Sequence, residues 1–372
     1  MASFSRKISR VVDCHVHLRG LAAVEGLFEI RRRLGLHRMN LVCIVDPATG
    51  SGNAEGLYAK AAAGGALYCF GGLNHAAAFS GGKVSAPSPA RQVDDLLAAG
   101  CDGIKLIESK PDSRRKLPQP MDGEYYREFF ARAEARGAPL LWHVGDPEEF
   151  WDASRAPSWA VRHGWTYGPG DIPLEDLYAE VEHVLDRHPA LRVVFAHFYF
   201  LSADLPRARR FLQAHPNVML DLAPGIEFLH NLSRDRAGAR EFFIAHQDRI
   251  VFGTDIFGHS PPAQAAARAE IIRRLLETAE EFAVPEEADE LLEPGGPPRI
   301  VGLDLPVKVL EKIYHANFEG LAGAKPRGLD VRQAIEECLQ QARIAADFSG
   351  TTPADTVAGR SAAALAALQR RV

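Results

Sequence analysis

His15-Val16-His17 closes a short apolar run, and the two-residue side-chain period of a strand turns both imidazoles to one face, with Asp13 on that face as well. Two neutral imidazoles converging on one point are half of a zinc-type site. Spacing alone is thin support, because 14 histidines in 372 residues yield roughly 0.5 such pairs by chance. Position adds weight. Three other apolar runs end in the same way: Leu141-Trp142-His143-Val144-Gly145-Asp146-Pro147, Phe195-Ala196-His197-Phe198 and Phe252-Gly253-Thr254-Asp255. If these runs are strands of one closed sheet, their C-terminal ends share a mouth. His15, His17, His143, His197 and Asp255 then meet across a large separation in sequence. One such histidine reads more readily as a core imidazole bonded to a carbonyl; five polar strand ends in one register read as a reaction centre.

Other residues fall near the same rim. Cys101-Asp102-Gly103-Ile104-Lys105-Leu106-Ile107-Glu108 brings Lys105, which as a free ammonium suits an anionic substrate and otherwise snorkels to water. Glu108 has the opposite parity unless the strand has already ended. The following loop, Ser109 to Lys116, holds four cations in eight residues and reads as a solvated charge run. Asp221 follows the seventh run and lines the mouth with Glu227 and His230, or else bonds the neighbouring backbone. All four tryptophans lie between residues 142 and 165. Trp142 points outward by parity. Trp151, Trp159 and Trp165 belong to the long stretch Glu148–Pro173, where a lid is the usual reason for such length; Trp151 is the one assigned to the substrate.

Eight apolar runs must position these groups: Val11–Leu18, Leu41–Pro47, Leu67–Leu73, Cys101–Glu108, Pro139–Pro147, Arg192–Phe198, Val218–Pro224 and Arg249–Phe257. Continuous runs such as Val193-Val194-Phe195-Ala196 suit parallel strands covered on both faces. The stretches between them have helical spacing, clearest over Leu174–His188, and Asp204 followed by Pro206 marks another helix start. Strand then helix, eight times over, predicts an α/β fold, a (β/α)₈ TIM barrel over about residues 11–280, with a doubly wound sheet as the alternative. Beyond the loop Glu293-Pro294-Gly295-Gly296-Pro297-Pro298, extra C-terminal helices are expected near 306–322, 330–347 and 353–371, the last starting at Thr352-Pro353. This extension, about 281–372, is too short to stand alone and is expected to pack on the barrel, making residues 1–372 one domain.

Composition narrows the partners. A formal net charge of −5 with 24 % charged residues leaves no basic stripe for nucleic acid. The longest uncharged window, Ala61–Gly82, contains six glycines and suits no bilayer span. The start, Met1 to Lys7, has no apolar stretch of a secretory signal, and the five scattered cysteines read as reduced core thiols, so a cytoplasmic protein is expected. A small molecule is the expected partner, and a homo-oligomer is compatible.

His15-Val16-His17, His143, His197 and Gly253-Thr254-Asp255, with Ile313-Tyr314-His315-Ala316-Asn317-Phe318 as closing helix, resemble the amidohydrolase superfamily, and within it the branch of metal-dependent hydrolases and nonoxidative decarboxylases. The resemblance implies one divalent metal, usually zinc and sometimes manganese, held by His15, His17, His143 and Asp255. It places His197 beside the metal, acting on the substrate. Asp255 then handles the proton of a water molecule and His197 polarises a carbonyl or protonates a leaving group. Binuclear members carboxylate the lysine of the fourth strand; Lys105 is expected to stay unmodified. The expected activity is hydrolysis of an amide, lactone or related carbonyl. Decarboxylation of a small carboxylic acid is the runner-up, and a non-catalytic binding barrel comes third.

Overall fold

In the computed structural model, which describes residues 7–297 and 299–370, nine parallel strands form one sheet. Met1–Arg6, part of the start read as lacking a secretory signal, and Pro298 lie outside the described residues. The strands are β1 (Val12–His17), β2 (Arg38–Val42), β3 (Leu67–Gly72), β4 (Gly103–Ser109), β5 (Leu140–Val144), β6 (Val193–Phe195), β7 (Val218–Asp221), β8 (Ile250–Val251) and β9 (Ile256–Phe257). They pair in chain order from β1 to β8, and β9 pairs with β1. Since β8 and β9 are the two ends of a single run, the sheet closes on itself. The Cys14 amide donates to the Phe252 carbonyl at 2.9 Å and the Asp255 amide to the His15 carbonyl at 2.8 Å across the seam. This is a TIM barrel, with the eighth strand interrupted between Val251 and Ile256.

Helices follow the strands as their apolar periodicity requires, including Leu174–Arg187 and Leu205–Ala214. The Asp204 side chain caps the latter by accepting from the Arg207 amide at 2.9 Å. Two boundaries differ from expectation. β2 starts at Arg38, three residues before the apolar run, because Asn40 is a buried polar residue whose Nδ2 donates to the Cys14 carbonyl at 3.0 Å. The last helix starts at Val357, capped by Thr356, which accepts from the Gly359 amide at 3.0 Å. Thr352 and Pro353 instead introduce a single tight turn.

The barrel interior is sealed at its N-terminal end by Val12, Val42, Tyr68, Phe70, Leu141, Val194 and Val251, onto which Phe318 and Leu321 of the extension pack. Phe318 meets Tyr68 edge to face at 5.3 Å, and Asn317 Nδ2 donates to the carbonyls of Gln247 and Ile250 at 2.7 Å each. The helical stretch 307–322 passes through a π turn at Lys312–Ala316 on the way. The later helices Val331–Ser349 and Val357–Gln369 pack on each other and on the barrel helices Asn53–Ala62 and Pro89–Ala99. One hydrophobic cluster runs from barrel residues to Ala342, Ala358 and Leu365 of the extension. A small antiparallel ribbon, β10 (Glu281–Phe282) with β11 (Ile300–Val301), brackets the Gly/Pro loop; runs this short leave no periodicity to read. All five cysteines are buried and free. No helix among the described residues is long and apolar enough to cross a membrane.

Candidate metal centre and its flanking cavities

β1 delivers its two histidines by way of a bulge. The pairing with β2 slips by one residue between Asp13 and Val16, so His15 and His17 face the mouth whereas Asp13 does not share their face. The expectation of three groups on one face fails at that inserted residue. Asp13 instead accepts from Thr254 Oγ1 at 2.5 Å and from the amides of Thr254 and His15 at 3.1 Å, tying β1 to the broken eighth strand. Its burial pushes its pKa up to about 7.

At the mouth His17 Nε2 lies 3.1 Å and His15 Nε2 3.7 Å from Asp255 Oδ1. One ligand atom from each of the three comes within 4.8 Å of the others. His15 Nδ1 donates to Asp221 Oδ2 at 2.8 Å, which assigns its proton and leaves Nε2 as the free lone pair. Burial, with Lys105 nearby, lowers the pKa of His15, so that imidazole is neutral. Burial works against the Asp255 anion, but the hydrogen bond from His17 and the proximity of His15 and His197 hold its carboxyl well below the usual range. Two imidazoles, one of them oriented by a second carboxylate, and a carboxylate that stays ionised are the donor set a zinc-type ion takes. The residues present fit such a metal.

His143 adjoins this trio without joining it. Its Nε2 faces the Gly145 carbonyl at 3.0 Å and Asp146 Oδ1 at 3.5 Å, leaving Nδ1 as the basic nitrogen. Its ring centroid is 4.8 Å from that of His197. Burial lowers its pKa to about 3, against the pull of Asp146. His197 follows β6 in an unusual turn: His197, Phe198, Tyr199 and Phe200 all have φ between 51 and 57°, a left-handed stretch that costs non-glycine residues energy. The His197 amide donates to Asp221 Oδ1 at 2.7 Å and its Nδ1 faces the Ala223 carbonyl at 3.1 Å, so Nε2 is its free nitrogen. Asp255 has φ 57° as well.

Several expected site residues sit elsewhere. Asp221 does not line the mouth; it is fully buried beneath His15 and His197, and it also accepts from the Ala223 amide at 3.0 Å. Its placement is the backbone-bonding alternative, with His15 added. Trp151 does not line the site either. Its Nε1 donates to the Ile172 carbonyl at 3.1 Å and it packs on Tyr167, behind the wall formed by Trp159 and Trp165. That wall encloses a cleft of about 90 Å³ over His143, His197 and Asp255, completed by Lys110, Glu227 and Arg268; His230 is not among its residues. Burial raises the Glu227 pKa to about 7.

The basic segment folds as the helix Pro111–Lys116 and is solvated only in part: Arg115 and Lys116 are exposed, Lys110 and Arg114 buried. Lys110 is buried against Asp146 and lies 4.3 Å from the Trp165 ring, Arg114 pairs with Glu180 and Arg115 with Asp171. Glu108 returns to the side of Lys105 because the pairing of β4 with β5 slips between Leu106 and Ser109. It accepts from His75 Nε2 at 2.8 Å. Lys105 is 1 % exposed and its Nζ has no hydrogen-bond partner among the described residues. Burial lowers its pKa to about 8, opposed by Asp221, Asp255 and Glu108. Lys105, His75 and Glu108 line a second cavity, of about 310 Å³.

Sequence reasoning missed three residues. His75 follows the third strand and carried the same strand-end signal as the others. Asp146 lay in view within the fifth run. Arg268 had no signal, being one arginine on a helix; its Nε donates to the Thr254 carbonyl at 2.7 Å, Nη2 to the Pro224 carbonyl at 2.8 Å and Nη1 to Asp289 Oδ2 at 2.7 Å, which fastens the backbone next to Asp255 to the segment after β7 and to the loop at Asp289.

A family model for amidohydrolases matches residues 12–317. No curated protein matches the sequence. Among solved structures, a TIM-barrel protein from Bordetella bronchiseptica is 16 % identical with a TM-score of 0.50, over 87 % of this chain and 99 % of the other. A Staphylococcus aureus protein described as an amidohydrolase is 14 % identical with a TM-score of 0.51, over 84 % and 99 %. An amidohydrolase from Burkholderia multivorans with bound zinc is 14 % identical with a TM-score of 0.48, over 85 % and 99 %. At such identities the likeness concerns the fold alone.

Proposed function

The chain belongs to the amidohydrolase family, and from that premise we propose that it is a metal-dependent hydrolase acting on an amide, lactone or related carbonyl of a small polar molecule. The observation that carries the reading is the convergence of His15, His17 and Asp255 to within 4.8 Å at the open mouth of the barrel. These three would hold one divalent ion, zinc ahead of manganese, with the adjoining His143 as the expected fourth donor. Such an ion supplies Lewis acidity and brings the pKa of a water molecule from 15.7 towards about 7.

The chain's own residues then divide the remaining work. Asp255 remains an anion at neutral pH and accepts a proton from the attacking water at its carboxylate. Asp255 passes that proton to Nε2 of His197, which is neutral with that nitrogen free, and His197 delivers it to the departing group. The Nδ1–H bond to the Ala223 carbonyl and the Asp221 bond to the His197 amide keep the ring aimed during this exchange. Asp221 fixes the His15 tautomer in the same way. Trp159 and Trp165 shield the cleft from bulk water, so the charges inside act at short range.

The test is metal analysis of the purified protein combined with a turnover screen of amides, lactones and carboxylates in ¹⁸O-labelled water. About one divalent ion per chain and label in the product support the hydrolase. Absence of a divalent ion overturns the ligand assignment. Carbon dioxide released stoichiometrically without label replaces hydrolysis by decarboxylation.

A further inference from the structure

His143, His197 and Asp255 come together in the lining of the narrow cleft, whose volume is about 90 Å³. Pockets that take small ligands start at about 300 Å³, and one water molecule claims about 30 Å³. The cleft holds a few waters over the metal centre and leaves no room for an amide or a lactone with its substituents. Part of its wall must therefore move. Trp165 is tied down: its ring lies 4.3 Å from Lys110 Nζ, and Arg115 holds the chain on either side of it, through Nη1 to the Gly164 carbonyl at 3.2 Å and Nη2 to the Thr166 carbonyl at 2.8 Å. Leu291 is tied down as well, because the nearby Asp289 accepts from Arg268 Nη1 at 2.7 Å and Arg268 is bonded to the backbone beside Asp255. Trp159 is held differently.

It sits on the short helix Ser158–Arg162. Its ring reaches down onto Phe150, edge to face at 5.5 Å, and onto Leu291, while residues 152–155 and 161–164 around it are exposed. Among the described residues, the hydrogen bonds and ion pairs that residues 153–163 make beyond 149–165 end on two carboxylates. Glu290 takes Arg162 and His163, the latter through Nε2 at 3.0 Å, and Glu293 accepts from Trp159 Nε1 at 3.3 Å. Gly164 follows with φ 71° and open space where a side chain would be, a left-handed position that glycine adopts freely and that suits a hinge. We propose that residues 152–164 form a lid that lifts to admit substrate to the metal centre, with Glu290 on the anchored rim as its latch. The proposal rests on the reading of the mouth as a reaction centre and adds how that centre is entered. Closed, the lid keeps Trp159 over His197 and Asp255. Opening exposes one indole and breaks two exposed ion pairs, a small cost for a motion of this kind.

The test bridges the latch. In the double variant Arg162→Cys with Glu290→Cys both positions are exposed, whereas the five native cysteines are buried. A short bis-methanethiosulfonate joins the pair and a phosphine releases it, and the rate at which dipicolinate strips metal from the holoprotein is measured in each state. Bridging is expected to slow stripping by about tenfold or more, with full recovery on release. In the single variant Glu290→Lys, which turns both ion pairs into repulsions, stripping should run a few-fold faster than in the wild type at an unchanged thermal midpoint. Equal rates with and without the bridge overturn the lid and make the segment a fixed wall. An unaltered rate in Glu290→Lys overturns the latch. Metal content, determined first, keeps these outcomes apart from failure of the reaction centre. If the chain binds no metal, the reaction centre falls and the lid is read from acrylamide quenching of the tryptophan emission, which the bridge should reduce; quenching indifferent to the bridge then overturns the lid.

Discussion

The two ends of the barrel are built from the same strands and do opposite things. At the N-terminal end Tyr68, Phe70 and Val194 close on Phe318 and Leu321, a plug with aromatic pairs at 5.3 and 5.9 Å. At the C-terminal end the strands finish in imidazoles and carboxylates. The left-handed backbone follows this division: of the seven non-glycine residues with positive φ among the described residues, five are His197–Phe200 and Asp255 at the mouth. Apolar packing at one end stabilises the fold and lets the other hold strained, desolvated groups in place. Stability and chemistry should therefore fail separately.

The largest separation is expected from Asp255→Asn. It keeps the side-chain shape but removes the anion to which His17 and His15 point, so turnover should fall by about 10³-fold or more, the upper range for a lost acid–base group. Thermal unfolding should shift by no more than a few degrees. Unchanged turnover would discredit the assignment of Asp255. At the opposite end Phe318→Ala empties the plug. A buried phenylalanine truncation costs about 3–5 kcal/mol, to be read from denaturant midpoints, while the folded fraction should keep its full metal content. Metal loss without destabilisation would mean that the ends are coupled in a way their packing does not support.

This contrast also governs what could be read from the sequence. Eight apolar runs with polar terminal residues were visible because a parallel strand covered on both faces must be apolar along its body and is released from that constraint only at its end. That pattern pointed to a barrel with a doubly wound sheet as the alternative, and it singled out His15, His17, His197 and Asp255, which the structure brings to one mouth. What escaped was register. The slips in β1 and β4 move Asp13 off the mouth face and Glu108 onto the side of Lys105, and no residue type announces an inserted position. Partnership escaped too. The position of Asp221 at the end of the seventh run was legible, but its depth, and hence its role beneath His15, depends on how far β7 runs relative to β1. Lys110, Arg114 and Arg115 looked solvated, as Lys116 is, because Asp146, Glu180 and Asp171, which pair with them, come from the next strand end and the segments that follow it.

A smaller effect probes the support beneath the mouth. Asp221→Asn leaves a hydrogen-bonding group at His15 Nδ1 and the His197 amide but removes the negative charge. Outer partners of metal ligands of this kind are worth about 10–100-fold in metal affinity or activity, so competition with a chelator should show a weakened site of normal stoichiometry. Full affinity in the variant would make Asp221 a part of the fold and nothing more.

The smallest expected effect separates two tryptophans of one loop. Trp159 is 6 % exposed and walls the cleft over His197 and Asp255, whereas Trp151 stands behind it with its indole N–H on the Ile172 carbonyl at 3.1 Å. Trp151→Phe retains the aromatic packing on Tyr167 and gives up that one hydrogen bond. The loss should be about 1 kcal/mol of stability, the usual net value of one such bond, with kcat and KM unchanged. Trp159→Phe removes part of the wall, so KM for a turned-over substrate should rise a few-fold, while the bond to Glu293 Oε1, already long at 3.3 Å, adds little to stability. The reverse pattern, with KM responding to Trp151 and not to Trp159, would require the loop to repack when substrate binds and bring its outer tryptophan to the inner face.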